Sequence, residues 1–328
     1  MVRAASAVLV ALVAVATPAT RSAVQAAPIF RFHTDELWLN LHHFLYVLGR
    51  ADAKMPDAAR AAVAGAPADS EQGLAALTAE EQRTWRQAVA FYAAGPSRKD
   101  AIFDEPLSVI AAALASAGDE ASLANAAIDP QLQSTLERSA PLYRKAWWPQ
   151  HHAANLARHR DIQALVDSHG EAVLAFVTQA YGMTWPSAGY PVHFSGWANW
   201  AGAYSTFRGI LMMSSLDRAT PGFGGLEIAF HEAMHQWDPA MNGLLFGEAR
   251  RTGKRLPPNV SHGLIFMTAG EAVRRVDPDH VPYADANGVW DRGYDHIKPP
   301  LDEVWKPYLR GAGTRDEAIA ALVSRVGS

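Results

Sequence analysis

Apolar positions recur at helical spacing through most of the first half of the chain. From position 37 to 49 the run Leu37, Trp38, Leu39, Leu41, Phe44, Leu45, Val47 and Leu48 predicts a helix, with Asp35 placed to cap its start and Gly49 near its end. Thr78-Ala79-Glu80-Glu81 has the form of a capping box ahead of Trp85, Val89 and Phe91, which predicts a helix over 78–94. Further helices are expected over 106–117 and 130–142. Trp147-Trp148-Pro149 then interrupts the chain before a helical stretch over 151–180. Alanine is abundant throughout this half and favours helix.

The texture changes after Gly182. Tyr190-Pro191-Val192-His193-Phe194, the segment 197–207 and the run Ile210-Leu211-Met212-Met213 within 209–214 read as short strands separated by turn residues. Two helices follow, over 224–238 and 259–276. The stretch 277–311 is rich in Pro, Gly, Asp and Tyr and reads as loop with a late helix over 301–309, before a final helix over 314–326. The fold class expected is mainly α, of the α+β type. A helical region over 27–182 precedes a small antiparallel sheet and a two-helix unit over 183–328.

Composition narrows the class. With 328 residues, 49% hydrophobic and 19% charged, the chain can bury a substantial core. A net charge of -4 supplies no basic field for nucleic acid. The first 26 residues stand apart: Arg3, an apolar run over 4–16, then small residues ending at Val24-Gln25-Ala26. This is the pattern of a cleaved signal peptide and predicts a secreted or periplasmic protein. The apolar run is shorter than the roughly 20 residues a membrane span needs, so no stable insertion is expected after cleavage. There is no cysteine, which excludes disulfides, a lipoprotein anchor and a thiolate metal site.

The chemistry concentrates in His231-Glu232-Ala233-Met234-His235. Residues four apart share one helix face, so both imidazoles can reach one ion. Glu232 sits about 100° round from His231, beside the pair and placed to take a proton from a water at the metal. Leu226, Phe230, Ala233 and Trp237 form an apolar stripe on the opposite side. A catalytic zinc takes three protein ligands and keeps an open position, so a third ligand must come from elsewhere. Gln236-Trp237-Asp238-Pro239 follows the motif, without the Gly and third His that extend it in metzincins. Glu271, on the second helix, is the favoured third ligand. His262 is the alternative; it lies nine residues earlier and so faces the opposite side of a continuous helix.

With these residues the region from Tyr190 to Val276 resembles the gluzincin superfamily of zinc peptidases. There a strand precedes the HExxH helix and a second helix presents a glutamate ligand. The resemblance implies Zn²⁺ held by His231, His235 and Glu271, a zincin-like catalytic unit, and an upstream edge strand, here within 197–215, that binds substrate backbone. It also implies a Tyr or His donor from a downstream segment to stabilise the oxyanion, with Tyr294 the first candidate and Tyr283 and His296 the others. The aspartate that often follows the third ligand by a turn is replaced by Arg274 and Arg275.

The function expected is hydrolysis of peptide bonds in a peptide or protein substrate, with Glu232 as general base. The alternative is an exported zinc-binding or helical interaction protein without peptidase activity. Trp197, Trp200 and Tyr204 fit either a pocket or the core. The pairs His42-His43 and His151-His152 point apart on a helix and read as packing or hydrogen-bonded residues. Glu227 reads as a partner of the metal ligands or as a first-turn charge.

Overall fold

The computed structural model describes residues 27–53, 69–199, 201–206, 208–216 and 220–328. The expected signal peptide and Trp200 lie outside these residues.

Long helices dominate the first half, close to where the apolar spacing places them. They are α1 (Leu37–Asp52), α2 (Ala79–Ala94), α3 (Glu105–Ala117), α4 (Pro130–Ala146), α5 (Trp148–Leu165) and α6 (Glu171–Tyr181). Thr78 caps α2 in a reciprocal capping box with Glu81. The chain turns at Trp147, and Pro149 occupies the first turn of α5, where a missing N–H costs nothing. A π-turn over Val166–Gly170 joins α5 to α6. Asp35 does not cap α1: the N-cap residue is Glu36, and its side chain makes no cap bond.

Four short strands follow the order β1-β2-β4-β3, namely β1 (Phe30–His33), β2 (Tyr190–Ser195), β3 (Ala203–Ser205) and β4 (Leu211–Ser214). The sheet is mixed, not antiparallel as expected. β1 pairs parallel with β2 and β2 parallel with β4, while β3 pairs antiparallel with β4. Two features of the chain produce this arrangement. The segment Phe30-Arg31-Phe32-His33, too short to stand out beside the helical run that follows, crosses the whole helical half to join β2. The link from β2 to β4 passes through the edge strand β3, so consecutive strands in sequence are not neighbours in the sheet.

The sheet separates two apolar cores. On one face Phe30, Val192, Phe194, Leu211 and Met213 meet Leu226, Phe230 and Ala233 of helix α7 (Gly222–Met234). On the other, Tyr204 and Met212 meet α1, α2 and α4. A buried polar knot ties the second core to the sheet: Asn40 donates to the Phe194 carbonyl at 3.0 Å and accepts from the Gly196 amide at 3.0 Å. After α7 the chain makes a single 3₁₀ turn and enters α8 (Asp238–Thr252), a helix absent from the expected elements. Pro239 in its first turn and Gly243 and Gly247 within it hid its helical pattern. Helix α9 (Val260–Arg274) then packs on α7, and α10 (Arg315–Val326), with its own capping box at Thr314, closes the fold.

Phe230 is fully buried between α7 and the sheet, edge-on to Phe30 at 5.0 Å. Truncation to alanine leaves a cavity there, and Phe230→Ala is expected to cost about 3–5 kcal/mol in a denaturant titration. The exposed Phe246→Ala change, at 47% exposure, is expected to stay within about 0.5 kcal/mol of the parent.

Candidate metal centre

Helix α7 carries the motif. Leu226, Phe230 and Ala233 are fully buried against the sheet, as the apolar stripe requires. The opposite face is largely covered as well: His231 is 3% exposed and Glu232 8%, while the His235 side chain at 24% keeps one side open to solvent. Helix α9 provides the cover. Its Phe266 ring lies 4.3 Å from the His231 ring and 4.5 Å from the His262 ring.

The three side chains that converge are His231, His235 and His262. One donor atom from each lies within 4.8 Å of the others. His231 Nε2 and His262 Nε2 are 3.1 Å apart, close to the roughly 3.3 Å between ligand atoms around tetrahedral zinc at 2.0–2.1 Å.

Glu271, the favoured third ligand, is not among them. α9 runs without a break through Gly263 and Gly270, so His262 and Glu271 stay on opposite sides. Lys306 and Arg274 each approach the Glu271 carboxylate at 3.4 Å and Arg310 at 3.5 Å. Three cations hold that side chain away from α7.

Tyr294 is also repositioned. Its hydroxyl lies 2.8 Å from His262 Nδ1, behind the ring relative to Nε2. Burial pushes the Tyr294 hydroxyl up to about 12, so it is a neutral phenol. It is a partner that orients His262; the role of oxyanion donor does not follow from its place. Tyr283 and His296 stand elsewhere. The Tyr283 amide donates to Glu227 at 2.9 Å, and His296 sits in the exposed loop beside Asp295. Glu227 accepts from His280 Nε2 at 2.6 Å, which ties α7 to the segment before Tyr283.

Asp238 is the residue the sequence reading passed over. The 3₁₀ turn after α7 brings its carboxylate 2.7 Å from His235 Nδ1. Its signal was visible as an acid three residues after the second histidine, but only the tightened turn aims it. A carboxylate on Nδ1–H fixes the tautomer and leaves Nε2 free as a donor. The Tyr294 hydroxyl meets Nδ1 of His262 and orients that ring. His231 Nδ1 is buried and has no hydrogen-bond partner among the described residues.

The electrostatics agree with a cation at this place. Burial and the neighbouring imidazoles push His231 well below the usual histidine range, and burial and His235 push His262 down to about 3. Both are unprotonated at neutral pH, the form that ligates a metal. Burial also pulls His235 down, but Asp238 and Glu232 outweigh it, and its pKa is raised. Burial raises Glu232; the charge of His235 and hydrogen bonds from Ser205 pull it partly back. Ser205, on edge strand β3, also donates to the Glu232 main-chain carbonyl at 2.7 Å, which anchors the motif helix to the sheet edge.

Three histidines of the helical half have structural partners. His42 meets the Tyr92 hydroxyl at 2.8 Å, His43 the Tyr204 hydroxyl at 2.6 Å, and His151 bridges Tyr143 and Asp69. Tyr204 is thereby part of the core, as is Trp197, which packs against it. No family model, no curated protein and no solved structure matches this chain.

Elemental analysis distinguishes the two third-ligand assignments. His262→Ala is expected to lose zinc affinity by at least about 100-fold, and Glu271→Ala to retain zinc at the parent level. In chelator-treated protein, stability is expected to fall as pH drops from 6.5 toward 3. Over that range unfolded histidines bind protons that folded His231 and His262 refuse. For His262 the loss between pH 7 and pH 5 is on the order of 2 kcal/mol, read from urea midpoints.

Proposed function

We propose that the chain is a zinc-dependent hydrolase that cleaves peptide bonds, exported by its N-terminal segment. The observation that carries this reading is the convergence of His231, His235 and His262, with Glu232 beside His231 on α7. Three imidazoles whose ring nitrogens converge fit a zinc ion, which would take the place of the hydrogen bond between His231 and His262, and the Asp238 and Glu232 carboxylates fit its charge. Zinc, when bound, supplies Lewis acidity that brings the pKa of a water toward about 7 and polarises a carbonyl.

The protein's own groups then have distinct tasks. Asp238 keeps the His235 ring in one tautomer and orientation, and Tyr294 orients the His262 ring. Glu232 takes a proton from the attacking water and returns it to the leaving amine. Burial suits it to both halves of that task by raising its pKa above that of an ordinary carboxylate. Ser205 restrains that rise and fixes the helix against the strand. Phe266 shields one side of the imidazoles from water. The gluzincin likeness supports peptide bonds as the substrate through the strand and helix order of 190–276, while the three-histidine set departs from that pattern.

One observation favours the second reading, an exported zinc-binding protein without turnover: Glu232 is only 8% exposed. A broad peptide library separates the two. Glu232→Gln is expected to keep its zinc and lose about 100-fold or more in kcat/KM. Full activity in that variant overturns the mechanism, and a zinc-loaded parent that cleaves nothing favours the second reading. The acid limb of kcat/KM is expected above the usual carboxylate range, and Ser205→Ala is expected to move it higher, because a hydrogen bond that lowers the Glu232 pKa is lost.

A further inference from the structure

A second cluster lies on the other face of the sheet. β1 and β2 run parallel with His33 opposite His193, so the two imidazoles leave adjacent strands on the same side. Their rings stack 4.7 Å apart at 13°. Phe194 packs toward α7, and His193, its neighbour along the strand, points toward α1. Glu36 enters from the start of α1. It holds the N-cap position but gives its helix no side-chain bond; both its carboxylate oxygens lie 2.8 Å from His193 Nδ1 instead. His33 Nδ1 is 3.7 Å from the same carboxylate.

Three features of this cluster stand out as unfinished. Glu36 is 6% exposed, and among the described residues no lysine or arginine forms an ion pair with it. A buried carboxylate faces only two imidazoles, and stacked imidazoles repel each other when both are protonated. His193, 5% exposed, keeps a second ring nitrogen, Nε2, that is buried and has no hydrogen-bond partner. One donor atom from each of His33, Glu36 and His193 lies within 4.8 Å of the others. The His33 side chain is 40% exposed, so one side of the cluster opens to solvent and to an entering ion.

We propose that His33, Glu36 and His193 form a second binding site for a divalent transition-metal ion such as zinc, with a structural role. Two imidazoles and one carboxylate are a donor set that zinc accepts, and water on the open side completes four-coordination. A divalent charge balances Glu36 without protonating either ring. The site joins residues 160 positions apart, from His33 to His193, and clips β1 and the start of α1 to the centre of the sheet. Its occupancy stabilises the folded chain by mass action. The proposal stands apart from the hydrolase reading, because its ligands lie across the sheet from α7.

The test is a zinc titration of the full, chelator-stripped chain, followed by elemental analysis and thermal unfolding. Two zinc ions per chain are expected. His33→Ala and Glu36→Gln are each expected to leave one ion and to weaken the other by at least about tenfold. His33 is half-buried and Glu36→Gln is isosteric, and circular dichroism checks that both fold. In a His231→Ala/His235→Ala background, one ion is expected to remain and to raise the unfolding temperature; adding His33→Ala is expected to abolish both. One ion in the parent, lost only in the His231→Ala/His235→Ala protein, overturns this proposal and leaves the hydrolase reading intact. Two ions retained in both folded His33→Ala and Glu36→Gln variants also overturn it.

Discussion

Packing the His231 and His262 imidazoles against Phe266 removes them from water, and that loss of hydration is the constraint around which the second half of the chain is arranged. Protonation would recover hydration for free rings but is suppressed for His231 and His262. The structure answers with polar partners behind two of the rings and a hydrogen bond between rings in front. Asp238 receives one Nδ1, Tyr294 stands behind another, and the Nε2 atoms of His231 and His262 meet. Helix α9 supplies both the third histidine and the aromatic cover, so its packing on α7 creates the site rather than merely flanking it. Glu271 serves that packing from the other side, where Lys306 and Arg310 tether the helix to the late segment near 301–310.

The long helices were legible because their apolar spacing and caps are local: Thr78 with Glu81 and Thr314 with Glu317 specify helix starts on their own. The HExxH geometry was legible for the same reason, since a four-residue spacing needs only a helix. The sheet was not. β1 pairs with a strand some 160 residues away, and nothing within Phe30–His33 announces its partner. The third ligand depended on which side of α9 faces α7. Sequence showed that His262 and Glu271 point apart; in the fold His262 meets the α7 histidine, while Glu271 pairs with cations near 306 and 310. Asp238 became a partner of His235 only through a 3₁₀ turn, whose tighter pitch no spacing rule for an α-helix anticipates.

The sheet has chemistry on both faces. Ser205 at its edge holds the Glu232 segment, and His193 near its centre meets Glu36 and His33 on the reverse. Neighbouring residues of one strand therefore serve different cores, as the two-residue period of a strand dictates. The first helix is coupled to this sheet through Asn40 and His43, so the helical half and the motif half share one framework of buried hydrogen bonds.

The central claim is that three histidines, His231 in α7, His235 in the turn after it and His262 in α9, hold the ion of the proposed hydrolase. A crystal of the zinc-loaded chain, measured at the zinc absorption edge, tests it most directly. The account predicts an anomalous peak about 2.0–2.1 Å from a ring nitrogen of His231, His235 and His262, with Glu232 near but outside the ligand set. A peak coordinated by the Glu271 carboxylate, or no peak between α7 and α9, would contradict it.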